Sequence, residues 1–455
     1  MNNPLLSLVL YAFSFIVTLG ILITVHEFGH FWVARRLDVK VLRFSIGFGR
    51  PLWLRRSRLD GTEYAVAAIP LGGYVRMLDE RESPVADHEL HRAFNRQAVS
   101  VRMAIVAAGP VFNLLFAILV YTLIFMIGVS GIRPLLDAPV PDSIAARGGF
   151  QSGDLITAVD DRPTPTLDAV RLALLERSLG EDVIQVQVQD ESGQLRLRTL
   201  DLRGQKKLTE DRDLFTQLGL SRWLPAVVGQ VLEGKPGQRA GLLPGDRILA
   251  LDAQPIKGWQ QLVTYVQAHP SQTMEVLIER NGQHRTLQVT PEPAEGSKQG
   301  LIGISNAQIP PAAIPDRLRA EERYAPFRAI TEAVSKTWNT ALFTLRMLWW
   351  MLIGKTSLSN ISGPITIAQV AGQAASSGLL PFLFMLALIS ISLAVLNLLP
   401  VPILDGGHLL YYLIELVKGS PLSEVAQELG QRVGIALLVM LMGLALFNDL
   451  SRLLG

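Results

Sequence analysis

The stretch Leu5-Leu-Ser-Leu-Val-Leu-Tyr-Ala-Phe-Ser-Phe-Ile-Val-Thr-Leu-Gly-Ile-Leu-Ile-Thr-Val25 carries no charge and runs directly into His26-Glu27-Phe28-Gly29-His30. It is long enough to cross a bilayer as a helix. No Lys or Arg precedes it and no small-residue cleavage site follows, so it reads as a membrane span and not as a signal peptide. On a helix, His26 and His30 share a face and both imidazoles can bind one divalent ion. Glu27 between them can reach a water at that ion, take its proton as general base and later protonate a leaving amine. Alone, the motif is a modest signal, and a solvated helix end is the plain alternative. The setting decides, because ionisable side chains at the end of an apolar span cost at least ~2 kcal/mol each when unpaired and mark function.

Composition agrees with this start. Of 455 residues, 49% are hydrophobic and only 18% charged, which points to membrane residence. The net charge of +2 gives no footprint of a nucleic-acid binder. There is no Cys, which excludes disulfides and thiolate zinc sites, so a metal here must be held by His and carboxylates.

Arg35 and Arg36 close the first span and an Arg-rich loop follows to about Arg102. The positive-inside rule places that loop in the cytoplasm and the N-terminus outside. Met103–Val129 reads as a second span, returning outward; Phe382–Leu399 and the rather short Val433–Phe447 read as the third and fourth. Thr340–Gly354 is short, carries Arg346 and pairs Trp349 with Trp350, which suits an interfacial helix. Gly109-Pro110 with Asn113 interrupts the second span; a kink, a close helix contact and a functional role all fit.

Between spans two and three lies a soluble insert with a repeat. Gly149-Phe-Gln-Ser-Gly-Asp-Leu-Ile-Thr-Ala-Val-Asp160 resembles Gly241-Leu-Leu-Pro-Gly-Asp-Arg-Ile-Leu-Ala-Leu-Asp252, and each copy continues into alternating strands. So long a period indicates tandem domains. The Gly-Asp pairs Gly153-Asp154 and Gly245-Asp246 read as turn chemistry. Leu218-Gly219-Leu220, before an expected strand Ala226–Leu232, has the look of a carboxylate-binding loop, although many turns share it.

Zinc hydrolases use three protein ligands and keep a position open. No third ligand follows locally, since Val33 and Arg36 stand where a soluble pattern needs Gly and His. The best remote candidate is Asp405 in Asn397-Leu-Leu-Pro-Val-Pro-Ile-Leu-Asp-Gly-Gly407, at the end of another apolar span. Pro400 and Pro402 break the helix there and Gly406-Gly407 allow a sharp turn, so an ordinary helix-ending turn is the plain reading and His408 is a rival ligand. Asp405 must face the same membrane side as His26 and His30. An even number of crossings therefore separates spans two and three, and zero is simplest.

The two motifs together resemble the site-2 proteases, and the insert resembles the tandem PDZ domains found among them. The likeness covers nearly the whole chain. It implies a polytopic α-helical membrane protein with four transmembrane helices, a membrane-associated β-loop and two inserted β-rich PDZ domains. The expected domains are 1–130 (first catalytic half), 131–220 and 221–310 (the PDZ pair), 311–378 (linker and interfacial amphipathic helix) and 379–455 (second catalytic half). Carried over by residue, His26, His30 and Asp405 become ligands of Zn²⁺, Glu27 the catalytic base and Asn397 a substrate holder. Ser45–Arg50 and Glu63–Arg76 become a membrane-dipping β-loop, with Gly47, Gly49, Gly72 and Gly73 as expected substrate-binding positions. The implied setting is a bacterial inner membrane, with PDZ domains and both termini periplasmic. The implied partners are the lipid bilayer and a single-span substrate: an anti-sigma factor already trimmed on its periplasmic side, or remnant signal peptides. A peptide C-terminus in a PDZ groove and purely steric exclusion are both compatible with the resemblance. A non-catalytic PDZ scaffold is the rival from another class, but it has no use for Glu27; a metal carrier needs a polar route these spans lack.

Overall fold

The computed structural model describes residues 4–178, 181–203, 214–294, 299–307, 318–354 and 361–454. They form two compact units: a helical one, Met1–Gly128 with Arg323–Gly455, and a β-rich one, Val129–Glu322.

The helical unit is built on α1 (Pro4–Arg36), α2 (Val99–Ile127), α3 (Pro326–Leu352), α4 (Pro364–Ser377), α5 (Leu379–Asn397), α6 (Asp405–Lys418) and α7 (Glu424–Leu454). Among the described residues, four helices are long and apolar enough to cross a membrane: Ser7–Arg36, Val99–Ile127, Leu379–Asn397 and Glu424–Arg452. They correspond to the four expected spans. A helix satisfies its own backbone, which is what an apolar solvent requires. The last helix is much longer than Val433–Phe447, because polar residues at both ends continue its turns. Helix α1 runs without a break through the HEFGH motif and ends on Arg35 and Arg36, where cations suit the carbonyl end. Helix α3 extends the expected Thr340–Gly354 segment backwards to Pro326, which occupies its first turn.

Small residues bring these helices together, as they do where lipid offers no hydrophobic drive for association. A Cβ on Gly29 would stand 2.5 Å from the Ala108 carbonyl oxygen, so α1 and α2 approach backbone to backbone there. Gly372 of α4 lies under the Tyr11 ring. Buried Asp449 of α7 accepts from Gly363 N (2.9 Å), Ile365 N (2.9 Å) and Thr366 Oγ1 (2.6 Å), satisfying the free donors at the start of α4.

The loop after α1 forms a hairpin of β1 (Val41–Arg56) and β2 (Glu63–Met77). It is folded over on itself. Arg43–Ile46 pairs with Gly73–Arg76 and also with Glu63–Val66, while Pro51–Arg56 pairs with Glu63–Ala67. Gly73–Met77 therefore has a strand on one side and, among the described residues, none on the other. Phe31 of α1 holds the sheet through Phe44 (centroids 5.3 Å apart) and Tyr64 (5.9 Å).

The β-rich unit repeats one design. Leu155–Val159, Val183–Gln189 and Leu195–Asp201 form a sheet with the short strand Arg162–Pro163 and the helix Leu167–Ser178. Arg247–Leu251, Met274–Arg280 and Gln283–Val289 do the same with Gln254–Pro255 and the helix Trp259–Ala268. Each copy has its own apolar core. The Gly-Asp turns do more than turn. Asp154 and Asp246, each 1% exposed, accept paired hydrogen bonds from Arg198 and Arg280 respectively. The loop Leu218–Leu220 has a counterpart that the sequence reading missed, Ile302-Gly303-Ile304. Gly219 (φ 75°) and Gly303 (φ 72°) are both left-handed, and a Cβ would strike Ser143 or Lys235. Arg319–Glu322, within the segment expected to be linker, pairs with Val129–Ile132 and belongs to this unit; residues 308–317 of that segment lie outside the described residues.

Candidate active site

Helical spacing places the His26 and His30 rings on one face of α1, with centroids 4.8 Å apart. Asp405 comes from the first turn of α6. The chain reaches it through Leu398–Leu404, where Ile403 holds φ at 103°, a rare conformation for a β-branched residue. Gly406 and Gly407 press against this turn so closely that a Cβ would strike the carbonyls of Leu399 and Val401. Asp405 thus opens a helix; it does not merely close one. An ion pair between Glu415 and Arg102 of α2 (2.7 Å) fixes the far end of α6.

His26 Nε2 lies 3.1 Å from Asp405 Oδ2, and His30 Nε2 lies 3.6 Å from Asp405 Oδ1. The two Nε2 atoms are 3.2 Å apart. Asp405 Oδ2 is buried and, despite its nearness to His26, accepts no properly aimed hydrogen bond. Atoms bound ~2.0–2.1 Å from a tetrahedral ion stand roughly 3.3 Å apart, so this triangle fits one small divalent cation. The donor set of two imidazoles and a carboxylate suits zinc chemistry.

Each imidazole is met from behind by α2. His30 Nδ1 donates to the Ile105 carbonyl (2.8 Å), and His26 Nδ1 faces the Asn113 amide (3.2 Å). Gly109 leaves the space the rings occupy: a Cβ would stand 2.7 Å from His26 Cε1 and collide with His30 Nε2. The Gly-Pro-x-x-Asn interruption of span two therefore lies directly behind the histidines. Of the features left open by sequence, this one gains a place in the site.

A cavity of about 440 Å³ opens onto the triangle. Glu27, Asn397 and His408 line it, with Gly73, Tyr74, Val75 and Met77 from the one-sided strand of the hairpin. Asn397 Nδ2 is 3.5 Å from His26 Nε2. Gly73 has no room for a side chain, since a Cβ would stand 2.8 Å from Glu27 Cγ. Gly47, Gly49 and Gly72 belong to the same hairpin but do not line the cavity. Gly47 (φ 93°) and Gly49 (φ 85°) serve the fold-over of β1, and Gly72 accommodates the Phe48 ring. His408 lines the cavity but stands outside the three-donor cluster.

Residues 14–441 match peptidase family M50. The chain belongs to that family. Membership makes it a site-2 metalloprotease, and the four apolar helices with β-rich inserts fit a membrane protease. The chain is 47% identical to the Escherichia coli (strain K12) protein named regulator of sigma-E protease RseP, over 97% of this chain and 98% of that one. It is equally 47% identical to the regulator of sigma E protease of Salmonella typhi, with the same coverage. A Yersinia pestis relative, named protease RseP, is 46% identical over 97% of this chain and 98% of its own length.

Proposed function

We propose that this M50 peptidase hydrolyses a peptide bond within the transmembrane segment of single-span proteins. In this reading His26, His30 and Asp405 hold zinc and Glu27 is the catalytic base. The observation that carries it is the convergence of three metal-binding atoms, with Glu27 beside them, in a cavity bordered by a strand with one free edge.

His26, His30 and Asp405 would hold a zinc ion, which would supply Lewis-acid polarisation of the scissile carbonyl and make a water in the cavity more acidic. Glu27 takes a proton from that water as its oxygen adds to the carbonyl carbon. When the C–N bond breaks, Glu27 returns the proton to the departing nitrogen, so base and acid are one residue. Asn397 orients substrate at the rim. A helical substrate hides its amides in i→i−4 bonds and must unwind before cleavage. Gly73–Met77 offers replacement backbone hydrogen bonds by β-augmentation, and Gly73 lets the extended segment approach Glu27. Gly47, Gly49 and Gly72 shape the strand that does this.

The cellular reading follows the relatives' names. The protein works in the sigma-E stress response at a bacterial inner membrane and cuts an anti-sigma factor already trimmed on its periplasmic side, or remnant signal peptides. Domains 131–220 and 221–310 are PDZ domains in the periplasm, and both termini are periplasmic. The Thr340–Gly354 segment, most of it within α3, is interfacial. The PDZ pair excludes substrates with bulky periplasmic domains; capture of a new C-terminus by Leu218–Leu220 is the competing role.

Co-expression with single-span substrates tests the core reading: wild type should cut within the span and Glu27→Gln should not. Equal cleavage by the variant would refute it. Reporter fusions at Ser83 should read cytoplasm and fusions at Glu233 periplasm; a cytoplasmic signal at Glu233 overturns the topology. Excising the PDZ pair should allow cleavage of untrimmed substrate. Loss of cleavage of the trimmed form would favour capture instead.

A further inference from the structure

Asn113 of α2 is fully buried, and its side chain has no role in the steps above. Its amide nitrogen lies 3.2 Å from His26 Nδ1, while its amide oxygen is buried without any hydrogen-bond partner. Ser390 Oγ of α5 donates to the Asn113 backbone carbonyl (2.8 Å) and holds this turn of α2 in place.

The two histidines can be compared atom by atom. His30 Nδ1 faces the Ile105 carbonyl, which can only accept, so His30 carries its hydrogen on Nδ1 and turns the Nε2 lone pair to the cluster. His26 needs the same arrangement if its Nε2 is to bind a cation. With the Asn113 amide nitrogen towards the ring, His26 Nδ1 must accept, and the ring hydrogen of the neutral imidazole falls on Nε2, where a cation would have to sit. Half a turn about the Asn113 Cβ–Cγ bond reverses this. The oxygen then accepts from Nδ1–H, the buried unpaired oxygen gains its partner, and the Nε2 lone pair points at Asp405. Side-chain amides offer both orientations in nearly the same space.

We propose that Asn113 is a positioning residue for the metal site, accepting a hydrogen bond from His26 Nδ1–H through its side-chain oxygen in the metal-loaded protein. It does for His26 what the Ile105 carbonyl does for His30. The inference rests on the zinc reading proposed above. An acceptor behind a ligating imidazole fixes both its tautomer and its orientation, and losing one typically costs about 10–100-fold in metal affinity or activity.

The test is zinc affinity of the full-length, membrane-reconstituted protein, measured by competition with a chelator. Asn113→Leu removes the acceptor and should weaken zinc binding by about 10–100-fold. Asn113→Asp keeps an acceptor in nearly the same shape and should stay within about threefold of wild type, a rescue that a packing role alone does not provide. Should the leucine variant not accumulate as folded protein, Asn113→Ala gives the same contrast with Asn113→Asp. Wild-type affinity in Asn113→Leu or Asn113→Ala overturns the proposal. So does a loss in Asn113→Asp as large as in the variant without an acceptor. His26→Ala separates the two levels. If it keeps full zinc affinity, the zinc-site reading itself fails; if it loses zinc while Asn113→Leu does not, only the role of Asn113 fails.

Discussion

Two carboxylates with buried oxygens, one in each unit, are provided for in opposite ways. In the β-rich unit, Asp246 is 1% exposed and receives two hydrogen bonds from Arg280 (2.6 Å each) and one from Leu243 N (2.8 Å). Asp154 repeats this with Arg198 and Gln151 N. In the helical unit, Asp405 faces two imidazoles, and one of its buried oxygens accepts no aimed hydrogen bond. A buried charge is tolerated when paired and hydrogen-bonded. Asp246 finds its cation within the chain, whereas Asp405, in the reading proposed above, receives one from outside.

The largest expected effects lie on the Asp405 side of this contrast. Asp405→Ala should abolish proteolysis and leave two imidazoles that bind zinc poorly, whereas His408→Ala should retain metal. Metal analysis of both purified variants decides; the reverse result would transfer the ligand role to His408. Glu27→Gln comes next. It should keep zinc while lowering cleavage by about 10²–10⁴-fold, because an amide cannot take the water's proton. Loss of metal in that variant would mean that Glu27 acts through the site's structure and not as its base.

On the Asp246 side, activity should survive while stability falls. Arg280→Met leaves a buried carboxylate without its cation and should destabilise the second copy. Hydrogen exchange of Met274–Arg280 in the full chain should report that loss locally, with zinc content unchanged. If zinc falls too, the two carboxylates are not independent and the contrast fails.

How much of this was legible in the sequence depended on what each residue interrupts. His26, Glu27 and His30 stood out because ionisable groups break an apolar run, and Asp405 because prolines and glycines surround it. The same prolines hid α6: they end α5, and the chain resumes as a helix at Asp405 itself. Asn113 was visible as an oddity, but its role was not, because nothing local says which helix it faces. The Ile105 carbonyl is backbone and leaves no trace in composition. Asp154 and Asp246 read as turn residues because their arginines lie 44 and 34 positions away, on strands whose pairing only the folded sheet defines. The hairpin's fold-over escaped for a related reason, since one strand pairs with two parts of another.

The smallest effect separates Asp246 from a third buried carboxylate in its own unit. Asp137 is 2% exposed and accepts from Ala138 N (2.8 Å) and from Gln260 N (3.2 Å) at the start of the second copy's helix. Burial pushes both carboxyls up. At Asp246 the Arg280 guanidinium, with Leu243 N–H, more than reverses this and leaves the carboxyl below its ordinary value. At Asp137 the hydrogen bonds come from neutral donors and do not reverse it, so that carboxyl stays above its ordinary value. The two must then respond to acid in opposite senses. For Asp246 the unfolded chain takes up the proton first, so its contribution is present above the ordinary carboxylate pKa of ~3.9 and lost as pH falls through the folded value. For Asp137 the folded chain takes up the proton first, so its contribution is full below ~3.9 and lost as pH rises through the raised folded value. Opening free energies of the β-rich unit, from hydrogen exchange corrected for intrinsic rates, should therefore change differently in two variants as pH falls from 7 to below the ordinary carboxylate value of ~3.9. Asp246→Asn should flatten the loss of stability towards acid, and Asp137→Asn should steepen it. Profiles that stay parallel to wild type in both variants would mean that neither carboxyl is coupled to folding in the way its partners imply.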